Sequence, residues 1–132
     1  MANPERKDNS ELNTILQVSV EVVQNKTLKG RLPLELQVTL AKKIYLGLKE
    51  YKATEEPNTP WDHIDMREAY SDLQKNTDEI QSKFAEAGYN PRSANKIYRN
   101  ACLMSLRMLG KEIYTYEEYR KYLKYPRKHK PE

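Results

Sequence analysis

The amino-acid sequence predicts an all-α protein: a compact helical bundle of about four helices with an N-terminal helix-turn-helix arm. Apolar residues recur at helical spacing, helix start and stop residues separate the segments, and no segment alternates cleanly between polar and apolar residues. The length of 132 residues fits one domain. Within it we expect an arm (residues 1–52), a linker (53–60), a bundle core (61–125) and a basic tail (126–132).

The first predicted helix runs from a cap at Asp8 or Ser10 to about Asn25. The β-branched alternation at 18–22 also fits a strand, so both structures stay open for residues 17–23. The apolar residues at helical spacing are Leu12, Ile15, Leu16, Val22 and Val23.

The second predicted helix starts near Leu32, has Pro33 in its first turn and ends at about Tyr51. It is apolar on two sides, so it needs two partners, for which we consider the core and a neighbouring subunit. One side carries Leu34, Val38, Ala41, Tyr45 and Leu48, and the other carries Leu36, Leu40 and Ile44.

The third predicted helix follows the Pro-containing linker, with Thr59 as its cap and Pro60 in its first turn. A continuous apolar stripe runs from Met66 to Ala87, and Gly88 ends the helix. Its opposite face is acidic and carries Asp62, Asp65, Glu68, Asp72, Glu79 and Glu86.

A tight turn at Asn90-Pro91 starts the fourth predicted helix, which should pack antiparallel to the third and end at Gly110. Its second half is apolar almost all round, which predicts a central position. Thr115 to Glu118 form a capping box that starts a short fifth helix. In that helix we expect Tyr116, Tyr119 and Leu123 to face inward, and Tyr122 and Tyr125 not to do so.

Motifs for catalysis are almost absent, and we expect no enzyme, no cofactor and no metal site. The single cysteine, Cys102, excludes an internal disulfide and a thiolate zinc site, and its Leu/Met-rich surroundings indicate an inert core thiol. Asp62, His63 and Asp65 are a weak candidate for metal chelation, but acidic residues also stabilise a first helical turn. The sequence contains no apolar run long enough to span a bilayer and no apolar stretch typical of a secretory signal.

Charge is distributed in three blocks. Residues 1–52 carry a net +3, residues 53–88 a net −6 and residues 89–132 a net +7, which together give the formal net charge of +4. Cations spread along helices suit a polymer of phosphates, although lysines on solvated helix faces are the ordinary alternative. The candidate phosphate contacts are Arg6, Lys7, Lys26, Lys29, Arg31, Lys42, Lys43, Lys49, Lys52, Arg92, Lys96 and Arg99.

The segment from Ala87 to Asn100 (AGYNPRSANKIYRN), continued by the stretch that ends at Gly110, carries a distinctive pattern. It has a Tyr/Gly turn, a proline, an Ile-Tyr pair, an Ala/Leu/Arg-rich helix ending in glycine and a tyrosine-bearing helix. This pattern resembles the major coat proteins of filamentous archaeal viruses, the rudiviruses and lipothrixviruses, over about residues 87–125. The lipothrixvirus type, in which two related coat proteins pair, is the more similar.

The resemblance implies a structural virion protein whose helical-bundle cores pack side by side into a filament. It implies an N-terminal helix-turn-helix arm that wraps linear double-stranded DNA in an A-like form without sequence specificity. The implied partners are that DNA, a second copy or a paralogous coat protein, neighbouring subunits and a lipid envelope; the protein would reside in the host cytoplasm before assembly. The alternative from another class is a cytosolic helical adaptor or small regulator that binds a protein partner.

Overall fold

The computed structural model describes residues 4–25, 32–55 and 59–124, with side chains from residue 11 onward in the first range. These residues form six α-helices and a 3₁₀ turn at Trp61–His63, and they contain no strand, which confirms the all-α class for this part of the chain. The helices are α1 (Pro4–Val23), α2 (Leu34–Ala53), α3 (Met66–Leu73), α4 (Asp78–Glu86), α5 (Pro91–Gly110) and α6 (Tyr116–Lys124).

The helices pack around a shared interior. Helix α1 contacts α2 and α5, α2 contacts α3 and α4, and both α3 and α4 contact α5. Helices α2 and α5 make no extended contact with each other, and each packs against α1, α3 and α4. None of the six helices is long and apolar enough to cross a membrane.

One hydrophobic core spans both predicted parts of the chain. Val18 of α1, Ile44 of α2, Phe84 of α4 and Tyr98 of α5 are all fully buried in it. Both helices of the predicted arm thus contribute to the same core as the remaining helices, and α1 packs directly against α5.

The first two helices begin at different residues from those predicted. Helix α1 already includes Pro4, upstream of the predicted cap at Asp8 or Ser10. Helix α2 begins after Pro33, whose carbonyl accepts from the N–H groups of Leu36 and Gln37 at 3.0 Å. Residues 17–23 are helical, and the buried Ser19 hydroxyl donates to the Ile15 carbonyl at 2.9 Å.

The expectation of one continuous third helix is wrong, because the segment forms the 3₁₀ turn, α3 and α4. Helix α3 is capped by Asp65, whose carboxylate accepts from the Glu68 N–H at 3.1 Å. The break between α3 and α4 contains Asn76 with φ of 58°, a left-handed conformation that asparagine tolerates better than most residues. The predicted stripe still faces the core, with Ala69, Leu73, Ile80 and Phe84 buried.

The predicted bounds of the fourth helix and the predicted start of the fifth are confirmed. The Asn90 side chain caps α5 by accepting from the Ser93 N–H at 2.7 Å, and α5 ends at Gly110. The Thr115 hydroxyl accepts from the Glu118 N–H at 3.2 Å, as a capping box requires.

The predicted orientation of α6 is correct only in part. Tyr119 is buried, but Leu123 is 58% exposed, and the expectation that it faces inward is wrong. The neighbouring Tyr122 packs against the core instead and stacks on Tyr119 with 6.3 Å between ring centroids. Because Tyr119 and Tyr122 face the core, Leu123 lies on the outer side of α6. Tyr125 and the predicted tail lie outside the described residues.

Candidate nucleic-acid interface

The predicted phosphate contacts do not all lie in the described part of the chain. Arg6 and Lys7 belong to α1, but their side chains lie outside the described ones. Lys26, Lys29 and Arg31 lie outside the described residues altogether.

Helix α2 places its four predicted cations in three different environments. Lys42 and Lys49 are exposed on the outward side of the helix. Lys43 is half-buried, and its ammonium donates to the Lys75 carbonyl at 3.0 Å, in the connection between α3 and α4.

Lys52, the fourth cation, belongs to the interior. It is 8% exposed, its Nζ lies 2.6 Å from Glu11 Oε2, and the ammonium lies 5.5 Å from the ring centroid of Trp61. Its charge is already balanced inside the fold, so Lys52 is not a free cation in this structure.

Helix α5 carries the most uniform positive surface. The three predicted residues Arg92, Lys96 and Arg99 are exposed, and Arg107 is exposed on the same side, about 22 Å along the helix from Arg92. None of these four residues, the basic face of α5, forms a salt bridge within the described part of the chain. The sequence of α5 contains no aspartate or glutamate, so no carboxylate of this helix offsets the four charges.

Arg107 is not among the predicted phosphate contacts, although its spacing along the helix places it on the same face as them. It follows Lys96 by eleven residues, about three full turns, a spacing that returns a helix to nearly the same face. The surrounding apolar residues favoured a wholly buried second half of the helix, and they are indeed buried on either side of Arg107. A single exposed arginine in an otherwise apolar segment marks the solvent-facing line of that helix.

The cations of α2 and α5 lie on two helices that make no extended contact with each other. The predicted phosphate contacts therefore divide into a surface on α5 and a separate pair, Lys42 and Lys49, on α2.

The predicted acidic face lies on the 3₁₀ turn, α3 and α4. All six carboxylates reach solvent, with Asp72 the most covered and 3.3 Å from Lys75 Nζ. These anions lie on elements other than α5, and none of them forms a salt bridge with an α5 cation within the described residues. The residues are Asp62, Asp65, Glu68, Asp72, Glu79 and Glu86.

Two acidic residues of the predicted arm have specific partners within the fold. Glu11 pairs with Lys52, as described above. Glu21 Oε1 accepts from the Tyr116 backbone N–H at 2.8 Å, at the start of α6, where a helix N-terminus favours a negative charge. These contacts explain why a segment rich in lysine also contains carboxylates.

The residues considered for catalysis are His63 with its acidic neighbours and Cys102. His63 is exposed and its Nε2 lies 4.0 Å from Asp62 Oδ1, and the described residues contain no cluster of three or more metal-ligating side chains. Burial raises the pKa of the Cys102 thiol to about 12, with small opposing contributions from Tyr98, Gln74 and Lys43. The thiol is therefore protonated near neutral pH and is a poor nucleophile.

Comparison with known proteins finds no match for this chain among protein-family models, curated proteins or solved structures.

Proposed function

We propose that this protein is a structural coat protein that binds linear double-stranded DNA without reading its sequence and assembles into a helical filament. In the folded subunit, the basic face of α5 is the phosphate-binding surface. The observation that carries the proposal is the row of four exposed cations, without a salt bridge to any described residue, on a helix that lacks carboxylates.

The chemistry of this row fits phosphates better than bases. Each phosphate that a cation neutralises adds about 0.9 to the slope of log affinity against log salt, so four contacts contribute a slope of about 3.6. Base recognition needs amide or guanidinium groups close together on a short recognition helix, whereas the three arginines of this row are spread over about 22 Å of a 20-residue helix. On α5 the side chain of Asn95 is instead engaged by Gln81, whose Nε2 donates to it at 3.1 Å.

A wrapping arm made of residues 1–52, as the resemblance to filamentous-virus coat proteins implies, requires a rearrangement. Helices α1 and α2 would have to leave the shared core and expose Ile15, Val18 and Val22, which are buried here. Each such side chain costs about 1.5–3 kcal/mol to expose. The folded subunit therefore favours α5 as the first contact with DNA, and any wrapping by the arm would follow assembly. The A-like form of the DNA, the envelope and the virion location belong to the same proposal.

The test measures binding to short linear duplexes of two unrelated sequences by fluorescence anisotropy over a range of salt concentrations. The variant R92Q/K96Q/R99Q removes three α5 charges and should reduce the salt slope by about 3. The matched control R67Q/K75Q/K83Q removes three cations from α3, α4 and their connection and should bind as the parent protein does. K42Q/K49Q tests the separate cations of α2.

The outcomes separate the possibilities. Equal affinity for both duplexes, together with a loss confined to the α5 variant, supports the proposal. A loss confined to K42Q/K49Q would move the DNA surface to the arm. If the parent protein does not bind DNA even at low salt, the coat function is wrong. In that case the helical adaptor is the better assignment, which the exposed apolar residues of α2 independently favour.

A further inference from the structure

The outward side of α2 is more apolar than the rest of the described surface. Three of the five large apolar side chains that are exposed in the described part lie there: Leu34 at 72%, Val38 at 57% and Leu46 at 40%. A fourth, Leu16, is 45% exposed on the adjoining helix α1. Exposed apolar residues that cluster in this way are typical of a contact surface.

The same surface carries charges of both signs. Glu35, Lys42, Lys49 and Glu50 are exposed, and none of them forms a salt bridge within the described residues. Glu35 and Lys42 are seven residues apart, so they lie on one face, about 10 Å apart along the helix, with Val38 between them. We define the outer face of α2 as Leu34, Glu35, Val38, Lys42, Leu46, Lys49 and Glu50.

We propose that the outer face of α2 is a two-fold interface with a second copy of this chain. If two α2 helices lie antiparallel with the axis beside Val38, Glu35 of each copy faces Lys42 of the other. Val38 then meets Val38 of the second copy. A two-fold contact requires such self-complementarity, because the same patch serves both subunits.

Other occupants fit this face less well. A uniformly charged partner would satisfy either Glu35 and Glu50 or Lys42 and Lys49, but not both pairs. An anionic lipid surface would be repelled by the two glutamates. A parallel α2 pair would place Glu35 beside Glu35 and Lys42 beside Lys42, which is unfavourable. An antiparallel second copy matches Glu35 with Lys42 at both ends of the contact and covers Val38.

This inference rests on the assembly part of the proposed function and not on DNA binding. One helix face buries less area than a standard stable interface, so the contact alone should give a weak dimer. In a filament, neighbouring subunits raise the effective concentration of each copy, and weak contacts then suffice.

The first measurement is the dimer dissociation constant by sedimentation equilibrium, up to about 1 mM chain, near the weak limit of measurable association. Val38→Glu should weaken the dimer at least about tenfold, because it places two like charges at the axis. Leu123→Glu is the matched control: Leu123 is 58% exposed, like Val38, but lies on α6, and this variant should dimerise as the parent does. Circular dichroism verifies that both variants are folded.

The second measurement distinguishes a second copy from any other partner. Glu35→Lys and Lys42→Glu should each weaken self-association, since each creates like-charge contacts across the axis. An equimolar mixture of the two variants should recover a heterodimer, in which both contacts again join opposite charges. A parent chain that stays monomeric at the highest concentration, or a mixture that associates no better than the single variants, would overturn the proposal.

The two proposals fail separately. R92Q/K96Q/R99Q should dimerise like the parent, because its substitutions lie on α5. Val38→Glu should keep the parent's salt slope on a short duplex that holds one subunit. Loss of DNA binding with intact dimerisation, or the reverse, therefore identifies which surface was assigned wrongly.

Discussion

Helices α2 and α5 have the same length and a similar inner side, but their outer faces differ. Each has 20 residues, and each buries one side in the shared core. The outer face of α2 mixes three apolar residues with two lysines and two glutamates, whereas the basic face of α5 carries only cations. The difference suits α2 to another protein chain and α5 to phosphates.

The net charge of a segment does not show how many of its cations are free to bind a phosphate. Residues 1–52 carry +3 in total, yet Lys52 is balanced by Glu11 and Lys43 donates to a backbone carbonyl. Helix α5 has fewer cations than that segment, but all four are exposed and unopposed on their own helix. The number of free cations on one face is therefore a better guide to a phosphate surface than the sum of charges.

The largest expected change in stability tests whether α2 and α5 share one core. Ile44→Ala on the inner side of α2 should lower the free energy of unfolding by about 2–5 kcal/mol, because it leaves a cavity among fully buried side chains. Circular dichroism should report the same shifted transition as fluorescence of Trp61, which lies beyond the linker. Val38→Ala, on the outer face, is the control and should change stability by less than about 0.5 kcal/mol.

Two separate transitions in Ile44→Ala would contradict a shared core. If ellipticity were lost early while the Trp61 transition stayed in place, residues 1–52 would behave as an independent arm. That result would strengthen the wrapping arrangement that the resemblance implies.

The sequence predicted local structure better than long-range packing. The cap at Asn90 and the capping box at Thr115 depend on neighbouring residues, and both are present. The β-branched stretch at 18–22 became helix because Val18 and Val22 bury one face against the core. Asn76 is a residue type that tolerates the left-handed conformation found at the break. The continuous apolar stripe nevertheless favoured one uninterrupted helix.

The candidate site was only partly predictable for the same reason. Arg92, Lys96 and Arg99 were found from their spacing on one helix. The pairing of Lys52 with Glu11 spans 41 residues, and no local pattern reports it. The lack of extended contact between α2 and α5 likewise depends on long-range packing, since both helices pack against α1, α3 and α4.

A smaller loss of stability should follow when a hydrogen bond on the inner side of α5 is removed. The buried Tyr98 hydroxyl donates to the Leu73 carbonyl at 2.6 Å, at the end of α3. Tyr98→Phe should lower the free energy of unfolding by about 1–3 kcal/mol, because it leaves a buried carbonyl without its donor. Tyr70→Phe is the matched control, since Tyr70 is only half-buried and its hydroxyl has no hydrogen bond within the described residues. Equal losses in both variants would show that the Tyr98 hydrogen bond contributes little.

Alkaline pH should weaken the same inner side. Burial holds the pKa of Cys102 at about 12, against an ordinary value of 9.0, and it also raises the pKa of Tyr98. Above about pH 9 the unfolded chain loses the thiol proton while the folded chain keeps it, so stability falls as pH rises. The slope for Cys102 approaches about 1.4 kcal/mol per pH unit.

The measurement is the denaturant midpoint between about pH 8 and 9.5, a range below the ordinary pKa of tyrosine. The parent should lose stability across this range, and Cys102→Ala should lose less relative to its own value at the lower pH. Parallel curves for the two proteins would show that the thiol ionises equally in the folded and unfolded chains.

The smallest expected effect distinguishes free cations from internal ones. Lys52→Met should change the free energy of unfolding by less than about 1 kcal/mol, because losing the ion pair is offset by removing a buried charge, and the Glu11 side chain is 42% exposed to water. The salt slope of DNA binding should stay at the parent value, whereas Arg99→Met should lower it by about 1. A reduced slope in Lys52→Met would mean that DNA withdraws Lys52 from Glu11. Since Glu11 lies on α1, that result would place the opening of the α1–α2 contact within the binding event itself.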